Sequence, residues 1–172
     1  QLLGAVLSIL EHAAGALLEK PAAFTSEAEF DRLLNLHAVS AAFLAKAMLR
    51  HLREAGTSGR LVFLGSMAGL LGSGNAVAYA ASKGALNGLV KTLALECARY
   101  GTTVNAVAPG YVESPMTAHH DPQRRAKTLE QIPLGRYALP EEVGALVAFL
   151  CSPQAAYLTG QIIALDGGMG LA

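Results

Sequence analysis

Three side chains in one stretch could do proton chemistry together. Ser66 follows the apolar run Leu61-Val62-Phe63-Leu64, while Tyr79 and Lys83 stand four residues apart in Tyr79-Ala80-Ala81-Ser82-Lys83. Residues i and i+4 share one face of a helix, so the phenol and the ammonium can approach each other. A serine delivered beside them by a strand end completes a polar cluster with an acid–base pair in it. A free phenol titrates near ~10, and acting close to neutrality needs about 4 kcal/mol of preferential stabilisation of the phenolate. One ammonium in a partly dry site is a source of that size.

The flanking sequence supplies the elements that must hold these groups. Val6-Leu7-Ser8-Ile9-Leu10 reads as a strand, followed by a loop over Glu11-His12-Ala13-Ala14-Gly15. Thr25 or Ser26 can cap the next helix, with Glu27 and Glu29 at its positive dipole end. That helical pattern runs to about Glu54 with Phe30, Leu33, Leu34, Val39, Phe43, Met48 and Leu49 as its apolar face, and Ala55–Gly59 ends it. Arg60–Leu64 is a second strand, Tyr79 to about Tyr100 a second helix, and Thr103–Val107 a third strand broken by Pro109-Gly110. Tyr111–Arg136 is polar and irregular, with a short helix near Pro122–Glu130, and reads as a lid or substrate loop. Pro140 opens a helix running to about Ser152, and Gln161–Leu165 is the last strand, closed by Asp166-Gly167-Gly168.

Strands alternating with helices at this spacing imply βαβ crossovers, a parallel sheet and a site at the carboxyl ends of the strands. His12–Gly15, Ser66, Tyr79 and Pro109–Ser114 all fall at such ends. With no repeat, low-complexity tract or linker, residues 1–172 read as one domain.

The bulk numbers exclude several classes. Thirteen basic and thirteen acidic residues cancel, Trp is absent and aromatics are few, which argues against nucleic acid as a partner. No apolar run approaches the ~18 residues of a membrane span, so no membrane partner is expected. Cys97 and Cys151 are far apart and outside any CxxC, and read as small core residues in a reducing compartment, with the cytoplasm as the default. The first residues lack a positive n-region and a cleavage site, and read as a cut end rather than a signal peptide. No cluster has metal-ligand spacing. His37 and His51 read as surface or interface groups, and His119 and His120 as solvated residues without a role.

Taken together, the motifs resemble the short-chain dehydrogenase/reductase family, in its 3-oxoacyl-carrier-protein-reductase-like branch. A serine thirteen residues before Tyr-x-x-x-Lys is the most specific element. Val104-Asn105-Ala106-Val107-Ala108-Pro109-Gly110, Pro133-Leu134-Gly135-Arg136, Pro140-Glu141-Glu142-Val143, Thr159-Gly160-Gln161 and Asp166-Gly167-Gly168 match the family's later segments. The resemblance implies a Rossmann-like, doubly wound parallel sheet that is incomplete, with family strands 4–7 present and strands 1–3 absent. Within residues 1–172 no stretch resembles the family's pyrophosphate-binding turn or the position that selects NAD or NADP. Gly69-Leu70-Leu71-Gly72-Ser73-Gly74 spells GxxGxG, and its place between Ser66 and Tyr79 marks it as an active-site loop rather than a phosphate cradle.

The activity implied is hydride transfer between NAD or NADP and a carbonyl or acyl substrate. Tyr79 would be the general acid, Ser66 would hold the carbonyl oxygen, and Lys83 would bind the nicotinamide ribose and lower the phenol's pKa. Asn35 matches the family asparagine that anchors a water in the proton relay. His12, Gly15, Pro109, Gly110, Val112 and Ser114 fall at cofactor-binding positions, although His12-Ala13-Ala14-Gly15 departs from the family's Asn-Asn-Ala-Gly. Glu11 stands where an apolar strand residue is expected. The helices near Asn35 and after Tyr79 resemble the family's dimer helices and imply a homo-oligomer. The alternative is a non-catalytic remnant that serves as a packing partner for an intact relative.

Overall fold

A computed structural model describes residues 7–171. The expected first strand begins at Val6, which lies outside them. The observed strand, β1, is Ile9–His12, and it is shifted because Leu10 to His12 pair with Leu61 to Phe63. A long helix follows in three parts: α1 (Glu27–Leu34), a π-turn (Asn35–Val39) and α2 (Ser40–Ala55). Ser26 is its cap, accepting from the Glu29 amide while the Glu29 carboxylate accepts from the Ser26 amide. Gly56, at φ 63°, ends it in the left-handed conformation.

β2 (Arg60–Leu64) leads into a single helical turn, α3 (Ala68–Leu71), and then α4 (Val77–Cys97). β3 (Thr103–Pro109), α5 (Pro122–Glu130), α6 (Pro140–Cys151) and β4 (Ile162–Leu165) complete the chain. The four strands are all parallel and lie side by side in chain order, β1-β2-β3-β4.

Side-chain alternation on the strands builds a core on each face of the sheet. Leu61, Phe63, Val104 and Ala106 pack with α2 and α4 on one face. Val62 and Val107 pack with Val147 and Leu150 of α6 on the other. This is the doubly wound α/β arrangement, and its middle strands β2 and β3 are buried almost throughout. Glu11 is exposed, which an edge strand allows.

The long helix corrects two expectations. Phe43 is 63% exposed and Val39 is 37% exposed, so neither belongs to the buried face. The buried stripe is Leu33, His37, Ala41, Ala45, Met48 and Leu52. Its early steps are four residues long because the π-turn adds a residue to the helix period. His37, expected at the surface, is therefore fully buried, whereas His51 is exposed as expected. Among the described residues both cysteines are free, no three metal-ligating groups converge, and no helix is long and apolar enough to cross a membrane.

Candidate active site

The end of β2 delivers Ser66 to the carboxyl edge of the sheet. The Gly65 amide donates to the Val107 carbonyl at 2.7 Å, and the Met67 amide donates to the Pro109 carbonyl at 3.0 Å, so the strand's exit is tied to β3. The Ser66 hydroxyl accepts from the Ala68 amide at 3.2 Å and opens α3. That short helix lies directly on α4. A Cβ at Gly69 would stand 2.7 Å from the Lys83 carbonyl carbon, and the Asn87 side chain donates to the Gly69 carbonyl at 3.0 Å. Only glycine permits this approach, and the approach brings Ser66 and Tyr79 to one cavity.

Tyr79 and Lys83 lie one turn apart at the start of α4. Tyr79 and Ser66 line a cavity of about 150 Å³ together with Pro109, Gly110 and His120. Three of the chain's four methionines, Met67, Met116 and Met169, form part of its apolar wall. Burial pushes the Tyr79 phenol up, against a smaller opposing effect of the Ser66 hydroxyl. The expectation that Lys83 lowers this pKa is not met in the protein by itself. The Lys83 ammonium is buried and donates to the Leu64 carbonyl at 2.7 Å. Desolvation brings its own pKa down to about 8.

Beyond β3, Gly110 packs against Asp166, where a Cβ would come within 3.1 Å of the Asp166 Cα. Val112 and Ser114 sit half-buried in the turn that follows. The Thr117 hydroxyl donates to the Val112 carbonyl at 2.6 Å and accepts from the Ser114 amide at 3.2 Å. Thr117 itself reaches the cavity.

His12 and Gly15 stand on the other side of Lys83. The Ser40 hydroxyl donates to the Leu36 carbonyl, so it accepts from His12 Nε2 at 2.9 Å. This leaves His12 Nδ1 as a buried acceptor with no partner. Burial and the Lys83 charge lower the His12 pKa. A Cβ at Gly15 would lie 3.4 Å from His37 Nε2 and 3.8 Å from Lys83 Nζ.

Asn35 is not brought to this cluster. It lies two positions from Leu33 and from His37, both of which are buried, and its own side chain is exposed. His37 occupies the inward position instead, edge-on to the Tyr79 ring with centroids 5.5 Å apart. Its step of four residues from both Leu33 and Ala41 is the sequence signal for that placement. His120 also reaches the cavity, against the expectation of a solvated residue, and its Nδ1 bonds the Tyr137 hydroxyl at 3.2 Å. No periodicity in residues 111–121 foretells this.

Comparison with known proteins places the chain in one family. Residues 4–170 match a family model described as enoyl-(acyl carrier protein) reductase. The 3-oxoacyl-[acyl-carrier-protein] reductase FabG of Vibrio cholerae is 37% identical over 163 residues, 95% of this chain and 66% of that protein. A putative 2-deoxy-D-gluconate 3-dehydrogenase of Agrobacterium tumefaciens, solved with bound NADP, superposes with a TM-score of 0.93 at 33% identity, covering 96% of this chain and 68% of that one. A 4-hydroxyisoleucine dehydrogenase complexed with NADH gives a TM-score of 0.94 at 27% identity, covering 97% and 70%. The chain thus spans about two thirds of the length of the curated relatives it matches. It belongs to the short-chain dehydrogenase/reductase family, beside the 3-oxoacyl-[acyl-carrier-protein] reductases.

Proposed function

We propose that these residues form the chemical half of a nicotinamide-dependent carbonyl reductase, acting on a small carbonyl or acyl substrate as a single domain of the Rossmann type. The observation that carries this reading is Tyr79 and Lys83 one turn apart on α4, with Ser66 and Tyr79 lining one cavity.

The residues present fit a bound nicotinamide ribose. Lys83 is buried with a carbonyl as its acceptor and, among the described residues, no carboxylate paired with it. Gly15 leaves open the space a Cβ would take next to Lys83 Nζ, and His12 Nδ1 is an acceptor awaiting a donor. Lys83, His12 and Gly15 would hold the ribose side, and Pro109, Gly110, Val112 and Ser114 the carboxamide side. A reduced NAD or NADP bound there supplies a hydride. Ser66 donates a hydrogen bond to the substrate's carbonyl oxygen, and Tyr79 gives that oxygen its proton. The raised phenol pKa keeps the proton on Tyr79 until it is needed. The Lys83 ammonium, turned from Leu64 toward the ring, would then stabilise the phenolate left behind.

Oxidation of NADH and NADPH by the 172-residue chain, with a panel of neutral carbonyl compounds, tests this. Tyr79→Phe is expected to reduce turnover at least about a thousandfold, in line with loss of a general acid together with its positioning. Undiminished turnover in that variant refutes the assignment.

A non-catalytic reading has its own supporting observation. Among the described residues no strand pairs with the outer edge of β1, and Ile9 on that edge is 46% exposed. A remnant that packs on an intact relative would present such an edge. Calorimetric titration with NADH and NADPH separates the two, because a remnant would bind neither.

A further inference from the structure

His37 is a titratable group that the proposed chemistry does not use, yet it touches the reacting tyrosine. Its two ring nitrogens have separate partners. Nε2 lies 3.1 Å from the Ala16 amide, which can only donate, so Nε2 is the bare acceptor. Nδ1 therefore carries the proton and lies 2.8 Å from the Ser82 hydroxyl. That hydroxyl gives its own proton to the Tyr79 carbonyl at 2.8 Å. All three bonds run in one direction: Ala16 N–H to His37, His37 to Ser82, Ser82 to Tyr79. They join the loop after β1, the π-turn and the first turn of α4.

We infer that His37 is the positioning residue of this site, a neutral imidazole that locks the Gly15–Ala16 loop to the turn carrying Tyr79 and sets the phenol ring edge-on. The inference rests on the reductase reading for its catalytic meaning, but its geometry stands apart from it. Three groups bear on the ring: Lys83 and Tyr79 from α4, and His12 from β1. Burial, then the charges of Lys83 and His12, bring the His37 pKa down to about 4. A protonated ring would turn a second N–H against the Ala16 amide, so the lock exists only in the neutral form.

The test uses the full chain with labelled imidazole nitrogens and labelled tyrosine Cζ, read by NMR. His37 is expected as the Nδ1–H tautomer down to about pH 5, with the Ala16 amide exchanging slowly although it lies outside helix and strand. His37→Phe keeps a ring but neither bond. It should speed Ala16 exchange about tenfold, the size of one lost hydrogen bond, and shift the Tyr79 Cζ resonance as the phenol ring loses its fixed edge-on placement. His37→Gln, whose amide oxygen reaches toward Ala16, should restore Ala16 protection, while His37→Asn should not. An Nε2–H tautomer in the parent chain overturns the inference. So does a Tyr79 Cζ resonance unmoved in all three variants, even where thermal stability falls. If His37→Phe does not fold, the parent tautomer and the two amide variants still decide. None of these readouts needs turnover, so an inactive chain with an intact lock would count against the reductase reading alone.

Discussion

At the scale of single residues, the site stores an electrostatic cost in Lys83. Its folded pKa of about 8 lies below the ordinary 10.5. Below pH 8 both folded and unfolded chains hold the proton, and the folded one bears the burial penalty. Between pH 8 and 10.5 the unfolded chain holds more protons than the folded one, so stability rises with pH on this residue's account. The rise is about 3 kcal/mol. Denaturant titrations across that range should show it as a difference between the parent chain and Lys83→Met, and equal pH dependence in the two would contradict it. A polar ligand replacing the Leu64 carbonyl as partner would recover part of that cost. Ser66, Tyr79 and Lys83 were legible in the sequence because a strand end and an i, i+4 step fix their neighbourhood. Asn35 and His37 were harder to read, because the π-turn shifts the helix phase and only the four-residue steps from Leu33 to His37 to Ala41 mark which of the two points inward.

Among the elements, α3 is the one that decides the geometry of the site. Gly69 packs where its Cβ would meet Lys83 backbone, which cannot swing aside as a side chain can. Gly69→Ala is expected to destabilise the chain by about 1–3 kcal/mol, as overpacking does, and to push Ser66 away from Tyr79. A melting temperature equal to the parent's would show that the helices have room to part. α3 has only four residues inside a glycine-rich stretch, too few to leave a periodic trace. Elements with clear punctuation fared differently. Arg60–Leu64 and Pro122–Glu130 fall where the sequence puts them, because an apolar run and an Asp-Pro start mark them. β1 was displaced because a polar Glu11 and His12 extend it, and only pairing with β2 reveals that they belong to it.

For the molecule as a whole, exposed apolar groups include Phe43 on α2, Leu95 on α4 and Ile9 on the β1 edge. Phe43 is 63% exposed and Leu95 82% exposed on the outer faces of the two helices. Such faces favour a second copy of the chain. Sedimentation equilibrium is expected to give a mass above 17.8 kDa for the parent, and a mass near that value for Phe43→Glu combined with Leu95→Glu. If Ile9→Lys dissociates the assembly and the helix variant does not, the edge of β1 is the contact instead.

The order of the strands also bears on how the chain reaches its structure in time. Among the described residues each strand pairs only with its neighbours in sequence, so none of these strands must wait for a later one to insert beside it. Each pairing closes one crossover on a strand already in place, so no pairing has to span two crossovers. The sheet can therefore grow in the direction of synthesis, with β1 and β2 joined before β4 has left the ribosome.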